Sequence, residues 1–266
     1  MMELLADTHL HLYSCYDLDY AFSGLIDRLV AHNPQAVFAA FLAERSGYNF
    51  YEHLQTGEKI LRDFVIEHAG NNLVLRRKKD ARCLTVLPGR QIIAAENIEV
   101  LALCTDALFA DGIPAAELIK LILKKNGVPV LPWSPGKWFF QRGKVIDHLL
   151  HSFTPQNFLI GDVSLRPHGW PLPLLMRKAK RLGYQIISGS DPLPFPGQEA
   201  QFGRYASRII STEQKLGPDD TLRSLLAGKA EAISIGQRAS LLELFKRLRY
   251  NRQVRRGQEK HLSDEI

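Results

Sequence analysis

The sequence predicts an α/β barrel, and three observations predict it. Apolar strand-like runs alternate with helical patterns along most of the chain, the order expected of parallel strands joined by crossover helices. The length of 266 residues suits a one-domain barrel of this kind. Polar, glycine-rich stretches follow several of the strand-like runs, where barrels carry their reacting groups.

The elements follow in order. Leu4 to Leu12 alternates apolar and polar residues and reads as the opening strand. Tyr20 to Asn33 is helical through Leu25, Leu29 and Val30, and Asn33-Pro34 ends it. Ala36 to Leu42 is continuously apolar, as in a strand covered on both faces. A helix is expected over Tyr51 to His68. The region Leu73 to Leu103 is strand-rich and includes a hairpin-like elaboration, with Asn71-Asn72 and Pro88-Gly89 as breaks. Pro114 opens a helix that Asn126-Gly127 closes. Then come a strand over Val128 to Pro132, a helix around Val145 to His151 and a strand at Phe158 to Ile160. A helix over Pro171 to Leu182 and a strand over Tyr184 to Ser188 complete the alternation. Past Gly203 the pattern changes to helices at Asp220 to Leu226 and Leu241 to Arg249, with a short strand at Ala232 to Ile235 between them. The expected organisation is a barrel over residues 1–205, a helical extension packed on it over 206–250, and a basic polar tail over 251–266.

Composition narrows the function classes. The content is 45% hydrophobic and 23% charged, ordinary for a folded globular chain. No run of apolar residues is long enough to span a membrane, and the first residues lack a basic stretch followed by an apolar one, so a cytoplasmic location is expected. Cys15, Cys83 and Cys104 are odd in number and far apart, which excludes a disulfide framework and any C-x-x-C motif. The net charge of +6 is concentrated at Arg76-Arg77-Lys78-Lys79 and in the C-terminal set Lys246, Arg247, Arg249, Arg252, Arg255, Arg256 and Lys260. Such runs are usually solvated faces. The aromatic interleaving of single-strand binders is missing, which argues against a nucleic-acid partner.

The chemistry centres on Asp7-Thr8-His9-Leu10-His11. On a strand, side chains two apart share a face, so Asp7, His9 and His11 form one column. A carboxylate and two imidazoles in a column suit a divalent ion such as zinc, manganese or iron. The other strand ends offer Glu44-Arg45, Arg90-Gln91, Trp133-Ser134, Asp162 and Ser190-Asp191.

Together these motifs resemble the polymerase-and-histidinol-phosphatase (PHP) family of metal-dependent phosphoesterases. The resemblance rests on Asp7-x-His9-x-His11 and on Pro88-Gly89-Arg90-Gln91-Ile92, where the family carries Gly-x-Glu. It rests also on Val130-Leu131-Pro132-Trp133-Ser134-Pro135-Gly136, where the family carries Ala-His-Pro-Gly, and on Ser188-Gly189-Ser190-Asp191, where it carries Ser-Asp-x-His. It spans roughly residues 1–195 and implies a distorted (β/α)7 TIM-like barrel of PHP type, with up to three metals activating water. The chain departs from that pattern. Leu42-Ala43-Glu44-Arg45 stands for Thr-Asp-His, Gln91 for the Glu, Trp133 for a His, and Asp191-Pro192-Leu193 carries no second His.

One ion and not three is therefore expected, held by His9, His11 and Asp191 with Asp7, Gln91 and Asp162 as further candidates. Asp191 or Glu44 is the candidate general base. Lys137, Arg142 and Arg166, with Trp133, are candidates for gripping a small anionic or phosphorylated substrate. Two readings follow: a PHP-like metal-dependent hydrolase, in particular a phosphoesterase using metal-activated water, or an inactive PHP-like barrel that binds an anionic ligand or a protein partner.

Overall fold

A computed structural model describes residues 2–213 and 217–264, with side chains described through Val254. The chain opens with β1 (Met2–Leu10), α1 (Leu18–His32), β2 (Val37–Leu42) and α2 (Phe50–Thr56). A run of strands follows: β3 (Phe64–Ala69), β4 (Asn72–Arg77), β5 (Cys83–Leu87), β6 (Gly89–Ile93) and β7 (Glu99–Leu103). Next come α3 (Ala115–Lys124), β8 (Val128–Pro132), α4 (Phe140–Ser152), β9 (Leu159–Val163), α5 (Leu174–Arg181) and β10 (Ile186–Gly189). The last elements are β11 (Tyr205–Ser211), α6 (Pro218–Leu226), β12 (Ala230–Gly236) and α7 (Leu241–Asp264).

The strands form two sheets in a mixed α/β fold. One has the order β12-β11-β1-β2-β5-β4-β3, the other β10-β9-β8-β7-β6. The pairs β1/β2, β2/β5, β8/β9 and β9/β10 are parallel, as the alternation predicts, whereas β7 runs antiparallel to both β6 and β8. Among the described residues the strand ladder does not close into one continuous sheet; it breaks at two seams. At the first, β5 and β6 are separated only by Pro88, which has no N–H to carry the ladder onward. The chain leaves one sheet there and enters the other. What remains across this seam is the pair Glu44 N–H to Gly89 O at 3.0 Å and Gln91 N–H to Glu44 O at 2.8 Å. At the second seam Asp191 N–H donates to His9 O at 2.9 Å and Thr8 Oγ1 to Ser188 O at 2.9 Å.

A glycine allows close approach at each seam. A Cβ on Gly89 would stand 2.2 Å from Leu42 O, and a Cβ on Gly189 would stand 2.3 Å from His9 N. The space between the sheets is filled from both sides by Leu4, Ala6, Phe41, Leu101, Val130, Leu159 and Ile187. Outside the first sheet, Phe22, Leu25 and Leu29 of α1 cover the strands; outside the second, Leu118, Ile122 and Ile146 of α3 and α4 pack in the same way. The alternation Leu4 and Ala6 inward, Leu5 outward is the period-two pattern of β1 expressed as packing.

Several local expectations are corrected. The helix expected over Tyr51 to His68 stops at Thr56, because Gly57 turns into the left-handed region at φ 78°, and Phe64–Ala69 pairs with β4 as a strand. Beyond Gly203 the chain adds two strands to the sheet of β1, with β11 antiparallel to β1 and β12 antiparallel to β11. Helix α7 runs across position 250 without a break. The side chains of Arg255, Arg256 and Lys260 lie outside the described residues, whereas Arg249 and Arg252 are exposed. Among the described residues no helix is long and apolar enough to cross a membrane.

Candidate metal centre

The end of β1 delivers the two imidazoles. The β1/β2 register shifts between Asp7 and Leu10, and the chain leaves the strand with His9 and His11 both buried. The second seam brings Asp191 against them. It follows β10 closely and adopts φ 47°, a left-handed conformation costly for a residue other than glycine. The backbone bond from Asp191 N–H to His9 O holds it there, together with Ser164 Oγ donating to Ser190 O at 2.5 Å and Tyr16 Oη to Leu193 O at 2.5 Å. From the first seam, β6 supplies Gln91.

Four donor atoms converge. His9 Nε2 lies 3.1 Å from His11 Nε2, 3.3 Å from Gln91 Oε1 and 3.8 Å from Asp191 Oδ1, and His11 Nε2 lies 3.5 Å from the same carboxylate oxygen. Ligands about 2.0–2.2 Å from a common centre in tetrahedral array stand roughly 3.3–3.6 Å apart, so these separations fit one ion. Burial drives the pKa of His9 down, favouring the neutral imidazole that metals require. Burial works to raise Asp191, but its nearness to His9 and His11, a hydrogen bond from His11 and the charge of Lys137 outweigh it and hold the carboxyl well below the usual range. A neutral His9 has at most one N–H to offer at Nε2, yet that atom faces a second imidazole nitrogen, an amide oxygen and a carboxylate oxygen. One proton cannot satisfy all three. A cation among them can, and His9, His11 and Asp191 are a group able to hold a metal ion.

Beside these donors lies a cavity of about 300 Å³ lined by His11, Tyr13, Arg45, Gln91, Glu99, Lys137, Asp191, Leu248 and Asn251, among others. Glu99 organises one wall. Its Oε1 accepts from Gln91 Nε2 at 3.2 Å and pairs with Lys137 Nζ, so the Gln91 amide turns its oxygen toward His9. Arg45, which forms no ion pair among the described residues, sits beside the Tyr13 hydroxyl.

Of the residues singled out in the sequence, His9, His11, Gln91, Asp191 and Lys137 meet here. The others do not. Asp7 is buried behind the donors as a backbone anchor, with Oδ1 accepting from Ser190 N–H at 2.9 Å and Oδ2 from Gly203 N–H at 2.9 Å. Burial pushes its pKa up to about 6, against the opposing hydrogen bonds from Ser190, Gly203 and His9. Glu44 is turned away from the donors. Its Oε1 accepts from Tyr51 N–H at 3.0 Å, its Oε2 is 3.5 Å from Arg90 Nη1, and burial raises its pKa. Asp162 and Arg166 pair with each other at 2.8 and 2.5 Å, Tyr205 Oη adding a bond to Asp162 Oδ2 at 2.7 Å, and both line a different hollow. Arg142 spends a guanidinium N–H on Gly136 O at 2.9 Å outside the cavity. Trp133 is core, packed with Leu131 and Trp138 and bordering a separate aromatic groove. Arg45, from the strand-end motif Glu44-Arg45, joins the cavity, as do Glu99 and Asn251, which carry no sequence signal of their own. The charged pair Glu99 and Lys137 becomes visible only when β7 and the loop after β8 are brought together.

No protein-family model matches this sequence, and no curated protein matches it. Among solved structures, PsfC from Pseudomonas syringae PB-5123 is similar at a TM-score of 0.61 and 16% identity, covering 96% of this chain and 100% of that one. The lesion-specific endonuclease PfuEndoQ from Pyrococcus furiosus is similar at a TM-score of 0.53 and 8% identity, covering 88% of this chain and 59% of that one. At these identities the likeness extends to the fold alone.

Proposed function

We propose that this chain is a PHP-like metal-dependent phosphoesterase, its two sheets an opened form of the distorted (β/α)7 barrel, with a single divalent ion held by His9, His11 and Asp191 and assisted by Gln91. The observation that carries the reading is the convergence of His9 Nε2, His11 Nε2 and Asp191 Oδ1 within 3.1 to 3.8 Å of one another, with Gln91 Oε1 3.3 Å from His9 Nε2, beside a cavity. An ion bound there supplies charge that acidifies water and offsets the charge of a phosphoryl group.

The protein's own groups divide the remaining work. Lys137, held by Glu99 at the cavity wall, and Arg45, which lines the same cavity, present cations to an anionic ester. Gln91 is neutral, so it offers an oxygen without the charge of a bridging carboxylate, which favours one ion over a cluster. Asp191 is committed to the imidazoles, and Glu44 to Tyr51 and Arg90, so neither is free as a separate base. The small volume of the cavity, about 300 Å³, and the helix beside it favour a small ester over a polymer, in contrast with a structural neighbour that is named an endonuclease.

Phosphate release from small monoesters in the presence of Mn²⁺, Zn²⁺ or Fe²⁺ tests the reading. Metal-dependent turnover is expected, with Lys137→Ala raising KM while leaving metal content intact. Absence of hydrolysis with every divalent ion would favour the alternative, a fold of this kind that binds an anionic ligand without cleaving it.

A further inference from the structure

The loop before α4 and the loop before α5 bring apolar side chains to the surface around one groove. Trp133 and Trp138 are its buried floor, and Phe139, Phe140, Trp170 and Leu174 stand at its rim. Phe140 is 92% exposed and Leu174 74% exposed, and Phe139 and Trp170 are half-exposed. Phe140 has φ 55°, a left-handed conformation costly for any residue with a side chain. Trp138 donates its indole N–H to Pro132 O at 3.0 Å, whereas Trp170 has no acceptor for its own among the described residues. Large exposed apolar groups gathered around one groove mark an interaction site.

The surroundings of the groove are cationic. Helix α5 buries Met176 and Ala179, so Leu174, Arg177 and Arg181, at i, i+3 and i+7, share its outer face. Arg177 borders the groove itself, and Lys144 lines the adjoining hollow with Phe140. Lys144, Arg177 and Arg181 are exposed and form no ion pair among the described residues. Across residues 133–185 stand eight Lys and Arg against two acids, an excess equal to the whole chain's net charge of +6. Both acids are already committed, Asp147 to Lys178 and Asp162 to Arg166, each at 2.5 Å.

We propose that this face docks the protein on an anionic membrane surface, with Phe140, Leu174 and Trp170 entering the headgroup boundary and Lys144, Arg177 and Arg181 facing the lipid anions. The inference goes beyond the phosphoesterase reading and does not depend on it. The occupant must be negative, because the face holds unpaired cations and both acids of the segment are taken. It must also accept side chains that stand out from the surface. A bilayer yields to such tips wherever they fall, whereas a folded partner would need a matching pocket for each. A Trp at headgroup level keeps its N–H in the polar layer and its rings in the apolar one, which suits the unpaired indole of Trp170. Long Lys and Arg stems lie along the apolar rim and carry their charge to the headgroups. Each such cation adds to the attraction, and salt screens it.

The test is co-sedimentation of the full chain with vesicles of phosphatidylcholine alone and of equimolar phosphatidylcholine and phosphatidylserine, with tryptophan fluorescence read on the same samples. Binding to the anionic vesicles should be tighter than to the neutral ones by about tenfold or more. It should weaken as salt is raised from about 0.1 M to about 1 M. Emission should shift to the blue on binding, and Trp170→Phe should remove that shift, because Trp133 and Trp138 are already buried. Phe140→Ser, at a side chain almost fully exposed, should weaken binding by about tenfold or more with its melting temperature retained. Arg177→Gln combined with Arg181→Gln should weaken binding to the anionic vesicles alone. Lys78→Gln combined with Lys79→Gln, in the cationic run after β4, should leave binding unchanged. Binding to neither vesicle, equal binding to both, full affinity in Phe140→Ser, or an equal loss in the variant altered at Lys78 and Lys79 would overturn the proposal. Blue-shifted binding of polyglutamate without vesicle binding would also overturn it and assign the face to an acidic protein segment.

Discussion

Gly189 backs directly onto His9: a Cβ at position 189 would stand 2.3 Å from the His9 nitrogen and 2.5 Å from its Cβ. The contact joins the end of β10 to the end of β1 and sets how deeply His9 enters the donor group. Gly189→Ala must therefore push the two strands apart. The expected result is a loss of metal affinity of about tenfold or more, as when the support of a ligating residue is disturbed. A destabilisation of about 1–3 kcal/mol, typical of an overpacked site, should accompany it. Denaturant unfolding and metal titration of the same variant check both parts, and an alanine accepted without either change would contradict the closeness of the seam.

Gln91→Glu places a carboxylate where the amide now donates to Glu99 Oε1 at 3.2 Å. Without metal, two carboxylates would share one Lys137, so the variant should be less stable than the parent protein. With a divalent ion bound, the new charge faces His9 and should raise affinity. The opposite signs of the two effects are the distinguishing outcome, read by thermal melts with and without Mn²⁺.

Arg166→Ala leaves Asp162 buried with its charge unpaired and removes the Arg166 bond to Trp170 O. Breaking a buried pair from one side costs about 3–5 kcal/mol. Metal content of the folded fraction should not change, because neither residue adjoins the donor group. A variant with normal stability and altered metal binding would place Arg166 at the site after all.

How much of this is legible in the sequence depends on separation along the chain. His9 and His11 stand two residues apart on a strand, so their convergence is a local property of β geometry and can be read directly. Asp191 joins them from about 180 positions away and is visible only through the motif around Ser188-Gly189. Asp7 and Glu44 differ from expectation because a carboxylate near a strand end can serve backbone N–H groups as readily as a metal. Asp7 answers Ser190 and Gly203, and Glu44 answers Tyr51. Arg166 reads as a free cation only while Asp162 is counted as a ligand, although the two are four residues apart and pair with each other. In the fold, Pro88 reads as a break between strands. Its further consequence is that the chain changes sheets there and leaves the barrel open, which emerges only from the pairing of β2 with β5 and of Glu44 with Arg90. The strand β11 carries no local signal of its place beside β1, because that neighbour lies at the other end of the chain, whereas β12 on its other side is the next strand in sequence.

The most direct measurement is the number of divalent ions bound per chain, by calorimetric titration of Mn²⁺ and Zn²⁺ with elemental analysis of the dialysed protein. One ion per chain is predicted for the unaltered protein. His11→Ala removes one of about three strong ligands and should abolish that stoichiometric binding, not merely weaken it. Two or three ions per chain, no ion at all, or an ion retained at full affinity in His11→Ala would contradict the single centre formed by His9, His11 and Asp191.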